Sequence, residues 1–126
     1  MAISDVLATF PDNSFGWVLL EFYGIGQAPD GVPMPEFEDR VLSAPHGLSM
    51  TWAELKAFGN DIEQTFDCEI VAFRTNDIAE SPRDPKAVIA RICAFDSTQW
   101  QVAVDESVEE FRSVVGSVQR IAPDAG

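Results

Sequence analysis

The sequence predicts an α+β fold: a mostly antiparallel sheet of about four strands with two or three helices packed on one face. Three observations carry that expectation. Apolar residues recur at helical spacing in three segments, four other segments have strand character, and the last three of those follow one another with no helix between them. Strands joined by short connections pair antiparallel, and helices gathered on one side bury the apolar face of such a sheet.

Ile3, Val6, Leu7 and Phe10 fall at helical spacing on either side of Ser4, and Pro11 with Asp12-Asn13 closes this first helix. Gly16 to Tyr23 follows as a strand, with Val18, Leu20 and Phe22 on one face and Trp17, Leu19, Glu21 and Tyr23 on the other. A strand apolar on nearly both sides is expected to be central or covered by helices. Periodicity then fails, and residues 24–50 are expected to form a long loop punctuated by Pro29, Pro33, Pro35 and Pro45. Within it Phe37 to Leu42 suits a short strand or helical turn, and Pro29-Asp30-Gly31 is a turn signal. A structureless connection of that length is usually functional.

Thr51-Trp52-Ala53-Glu54 fits a capping box, in which hydroxyl and carboxylate satisfy each other's orphaned backbone donors. The helix it heads carries Trp52, Leu55, Phe58, Ile62 and Phe66 as its apolar stripe. Gly59 within it marks a close packing contact, since glycine costs a helix about 1 kcal/mol relative to alanine. Cys68 to Arg74 alternates as a strand, Asn76 to Pro85 reads as a polar loop, and Ala87 to Phe95 with Gln99 to Val104 reads as a hairpin connected through Asp96-Ser97-Thr98. Ser107-Val108-Glu109-Glu110 is a second capping box, heading a last helix from Val108 to Ile121. Residues 122–126 are expected to fray. One domain spanning residues 1–126 is expected, because the chain is of common single-domain size and 46% of it is hydrophobic.

Charge is the most informative bulk property. Twenty-one Asp and Glu oppose eight Lys and Arg, for a net charge of -13. Such a field repels polyanions and attracts cationic surfaces, so direct nucleic-acid binding is not expected. No purely apolar stretch exceeds four residues, Trp17 to Leu20 among them, which is far too short to span a bilayer. Met1 to Asp5 shows no secretory pattern, and a cytoplasmic location is expected. Cys68 and Cys93 lie in strand-like runs and read as reduced core thiols.

Catalytic inventory is thin. His46 is the only histidine, and neither a G-x-S-x-G elbow nor an H-E-x-x-H motif is present. Gly24-Ile25-Gly26 follows a strand but lacks the third glycine and the lysine of a phosphate-binding loop. The carboxylate clusters, Glu36, Glu38 and Asp39 and then Asp105, Glu106, Glu109 and Glu110, have no EF-hand spacing. No metal or cofactor is expected.

What remains is acidic surface combined with apolar anchors. Interfaces commonly set aromatic residues at a dry centre and charges at the rim. A non-catalytic protein that docks its negative surface on a basic protein partner is therefore expected, with Glu36, Phe37, Glu38, Asp39, Asp105, Glu106 and Glu109 as contact residues and Phe37 as anchor. Small inhibitors of bacterial toxins, immunity proteins among them, share this physical profile. Two alternatives stay open: a mimic of DNA charge, and a ligand-binding or enzymatic domain whose pocket is lined by Trp17, Tyr23, Trp52 and Trp100. Acidity that serves solubility alone is a further one.

Overall fold

The computed structural model describes residues 2–44, 47–74, 88–95, 99–105 and 108–111 of the chain. In chain order these form helix α1 (Ile3–Leu7), strand β1 (Gly16–Gly26), a 3-10 turn (Pro29–Gly31), helix α2 (Met34–Ser43), strand β2 (Leu48–Met50), helix α3 (Trp52–Asn60), strands β3 (Ile62–Phe73), β4 (Ala90–Phe95) and β5 (Gln99–Val104), and a second 3-10 turn (Glu109–Phe111). The five strands form one sheet in the order β2-β1-β3-β4-β5. Every pairing is antiparallel. The fold is α+β, with one strand more than expected.

All three helices pack on one face. Ile3, Val6 and Leu7 of α1, Phe37 and Val41 of α2, and Trp52, Leu55 and Phe58 of α3 share one core with Trp17, Leu19 and Phe22 of β1, Cys68, Ile70 and Ala72 of β3, and Ile92 and Ala94 of β4. The Thr51 capping box forms as its sequence requires: Glu54 N–H donates to Thr51 Oγ1 at 3.1 Å and Thr51 N–H donates to Glu54 Oε1 at 2.9 Å. Gly59 also serves as expected, because a Cβ there would lie 2.9 Å from Leu7 Cδ1, so its absence lets α3 approach α1.

Three sequence expectations are corrected. The stretch 24–50 is structured, not a long loop: it completes β1 and holds α2 and β2. Pro35 lies in the first turn of α2, where a missing N–H breaks no helical bond, so it opens the helix that its presence argued against. Phe37 and Val41, one helical turn apart, bury the inner side of α2. Secondly, α3 ends at Asn60 and Ile62 opens a twelve-residue β3, so Ile62 and Phe66 belong to a strand and not to the α3 stripe.

The third correction concerns β1. Leu19 pairs with Ile70, but Glu21 pairs with Glu69, which leaves Leu20 as an extra residue in a β-bulge. Strict alternation would group Phe22 with Val18 and Leu20. Instead Phe22 joins Trp17 and Leu19 under the helices, while Val18 and Leu20 are buried on the opposite face with Val71 and Phe73. Of the predicted last helix only the 3-10 turn Glu109–Phe111 is described, with Val108 and Phe111 in the core. The rest of that expectation lies outside the described residues, as do Ser107, the predicted loop 76–85, the connection 96–98, His46 and the tail 122–126.

Candidate binding surface

Two bulges decide what β1 shows to solvent. After the first, at Leu20, the residues Glu21 and Tyr23 point away from the helices, paired with Glu69 and Asp67 of β3. A second register shift follows Tyr23, where Phe66 is the extra residue of β3, and Ile25 then pairs with Gln64. The row through Glu21 continues across the sheet as Glu69, Cys93 and Gln101. The outward face is therefore divided. Its Gly16 end is covered, with Val18, Leu20, Val71 and Phe73 buried, whereas its Gly26 end leaves Tyr23 57% and Ile25 47% exposed.

Tyr23 rests against Phe66 with ring centroids 6.4 Å apart. Around this apolar pair stand the carboxylates of Glu21, Asp67 and Glu69. Glu21 and Glu69 oppose each other directly on neighbouring strands, an arrangement that costs roughly 0.2–1 kcal/mol. Arg91 relieves one of them, approaching Glu69 at 3.3 Å. Among the described residues no ion pair reaches Glu21. Cys93, half-buried in the same row, is a free thiol whose pKa is raised by burial and then by Glu69, with Arg91 opposing, so it stays protonated at neutral pH. Burial likewise raises the thiol of Cys68, which belongs to the helix-side core.

The acidic residues singled out in the sequence do not form one patch. Glu36 is exposed and paired within α2 to Arg40 at 3.6 Å, and Asp39 is exposed beside it. Phe37 is 3% exposed and stacks near Phe58 and Phe22 with centroids at 5.4 and 6.4 Å, so it is a core residue and not an anchor for a partner. Glu38 is engaged within the fold, where the Gly24 N–H donates to its Oε2 at 3.0 Å. Glycine is needed there, since a Cβ would overlap the Gln64 carbonyl oxygen. Replacing Glu38 by alanine orphans that N–H and is expected to cost about 1–3 kcal/mol in chemical denaturation, with Glu38→Gln recovering part of the loss.

Asp105 and Glu109 are exposed at the far end of β5, and Glu106 lies outside the described residues. Following the registers from Glu38 at Gly24 to Asp105 crosses three strand spacings and about seven residues of strand, a separation on the order of 25 Å. Carboxylates at opposite corners do not trace one DNA-like groove.

The aromatic pocket is not formed either. Trp17, Trp52 and Trp100 are buried in the core, Trp17 and Trp52 with centroids 5.0 Å apart, while Tyr23 lies on the other side of the sheet. A cleft of about 350 Å³ does open between α2, α3 and the Pro29–Gly31 turn, with Phe37, Phe58 and Met50 among its lining and Arg40 and Glu54 at its edge. Of the four charged residues that line it, Arg40 pairs with Glu36 and Glu54 accepts from the Thr51 N–H, while Asp30 and Asp61 add two further carboxylates. Among the described residues no group of three or more His, Cys, Asp or Glu side chains is placed to hold a metal ion.

Comparison with protein-family models, curated proteins and solved structures finds no match to this chain. Its surface must therefore be read on its own chemistry. The sequence does not mark Glu21, Tyr23, Ile25, Phe66, Asp67 or Glu69 as partner contacts, Tyr23 being expected only in the aromatic pocket, although one signal is present: Glu21 and Tyr23 interrupt an otherwise apolar strand. No described helix is long and apolar enough to cross a membrane.

Proposed function

We propose that this protein is a non-catalytic binder that docks a basic protein partner on the open end of its sheet, in the manner of an immunity-type inhibitor of a cationic toxin such as a nuclease. The observation that carries this is the exposure of Tyr23 and Ile25, 57% and 47%, on rigid strands ringed by Glu21, Asp67 and Glu69. An aromatic anchor with an apolar neighbour suits the dry centre of an interface, and carboxylates around it suit a cationic rim. The net charge of -13 adds long-range steering toward such a partner.

The Glu21–Glu69 pairing supports the same function. Like charges opposed across two strands work against the fold, and a partner's cation between them converts that repulsion into binding energy. Raising salt from about 50 to about 500 mM is expected to slow association with the partner several-fold while leaving dissociation nearly unchanged. Glu21→Gln is expected to slow association at low salt and to raise stability by a few tenths of a kcal/mol, by removing one of two like charges. Stopped-flow association and thermal unfolding measure the two effects. An association rate indifferent to both salt and the substitution rules the function out.

A further inference from the structure

Among the described residues, the strand at one edge of the sheet lacks the protection that edges ordinarily carry. β5 is the last strand in the order, and among the described residues nothing pairs with its outer side. Natural sheets blunt exposed edges with charge, proline, bulges or very short strands. The opposite edge follows that rule, since β2 has only three residues. β5 does not: Gln99-Trp100-Gln101-Val102-Ala103-Val104 has no charge, no proline and no glycine, and pairs with β4 in unbroken register over six residues. Gln99, Gln101 and Ala103 are exposed, and the Asp105 N–H donates to the Ile89 carbonyl at 2.8 Å, fixing the strand's end.

We infer that β5 accepts an extended segment of the basic partner as a sixth, antiparallel strand. Main-chain hydrogen bonds would supply affinity, and alternate side chains would supply selectivity. Antiparallel addition continues the sheet's own pattern and places the start of the added segment beside Asp105, with Glu109 nearby, so the segment carries Lys or Arg at its first position. Its next residues alternate. Those beside Val104, Val102 and Trp100 are apolar, and those beside Ala103 and Gln101 are polar, because the former row continues the helix-side core and the latter faces solvent. A second copy of this chain is the poorer occupant, since each copy brings a net charge of -13. The choice of a cationic segment rests on the function proposed above; the open edge does not.

The test uses the full chain, isotope-labelled, with the synthetic peptide Arg-Val-Thr-Val-Thr-Val and a control peptide beginning with Asp in place of Arg. Hydrogen exchange by NMR is expected to show outward amides of Gln99 to Val104 exchanging freely in the dilute protein and slowed at least about tenfold by saturating Arg peptide. Asp105→Asn is expected to weaken that peptide about threefold, within the range of an exposed ion pair, and Leu42→Ala, at an exposed position of α2, to leave it unchanged. Three results overturn the inference: no slowing by the Arg peptide, equal slowing by both peptides, or β5 amides already protected without peptide. In the last case, protection that rises with protein concentration identifies a second copy, and protection independent of concentration identifies the chain's own residues. Failure of the proposed function reads differently, as partner association that ignores salt and Glu21→Gln while β5 still takes up the peptide.

Discussion

Replacing Phe22 by alanine is expected to remove about 3–5 kcal/mol of stability, a large share of what a domain of this size possesses. Phe22 is 1% exposed and meets Phe58 at 5.0 Å and Phe37 at 6.4 Å between ring centroids. It is the point where β1, α2 and α3 converge, and the cavity left by truncation has rigid walls on each side. Urea denaturation gives the loss directly. A loss below about 1 kcal/mol would show that α2 or α3 collapses into the space, and that the aromatic trio holds the helices less firmly than its burial implies.

The next residue is expected to behave in the opposite way. Tyr23→Ala should change stability by no more than about 1 kcal/mol, because the side chain is 57% exposed and, among the described aromatic rings, rests only against half-buried Phe66. Affinity for the basic partner should fall by about 2 kcal/mol or more, roughly thirtyfold, as for a truncated aromatic hot spot. Calorimetry or surface-capture kinetics measures the affinity, and the faster dissociation should account for most of the change. Unaltered affinity in a folded Tyr23→Ala variant would remove the open sheet face from consideration as the docking surface.

The contrast between these neighbours shows what was and was not legible in the sequence. Features written in local chemistry were readable: the Thr51 capping box, the β4–β5 hairpin, the alternation of Cys68 to Phe73, and the close packing at Gly59. Helix α2 was hidden because its prolines signal breaks, whereas Pro35 sits in the one turn that tolerates it. Ile62 and Phe66 are four apart and fit a helix stripe as well as a strand. Pairing of 62–65 with Gly24 to Gly26 decides between them, and that is a long-range contact.

The candidate surface was hidden for a related reason. Which side of the sheet Tyr23 faces depends on the bulge at Leu20, and a bulge is a property of two strands together. The acidic field could be read from composition, but composition gives no address. Phe37 looked like an anchor because it stands among Glu36, Glu38 and Asp39, yet on a helix its i and i+4 relation to Val41 turns it inward.

The bulge also has a consequence for how the chain tolerates changes in length. Leu19 and Glu21 already sit opposite consecutive residues of β3, Ile70 and Glu69, so excising Leu20 would keep every later cross-strand partner in place. The cost would be confined to the small apolar cluster that Leu20 shares with Val18, Val71 and Phe73. Excising Leu19 and keeping Leu20 in its place would be tolerated only if Leu20 rotated to the helix side. The inside and outside of this strand are thus encoded in its residue count as much as in its side chains.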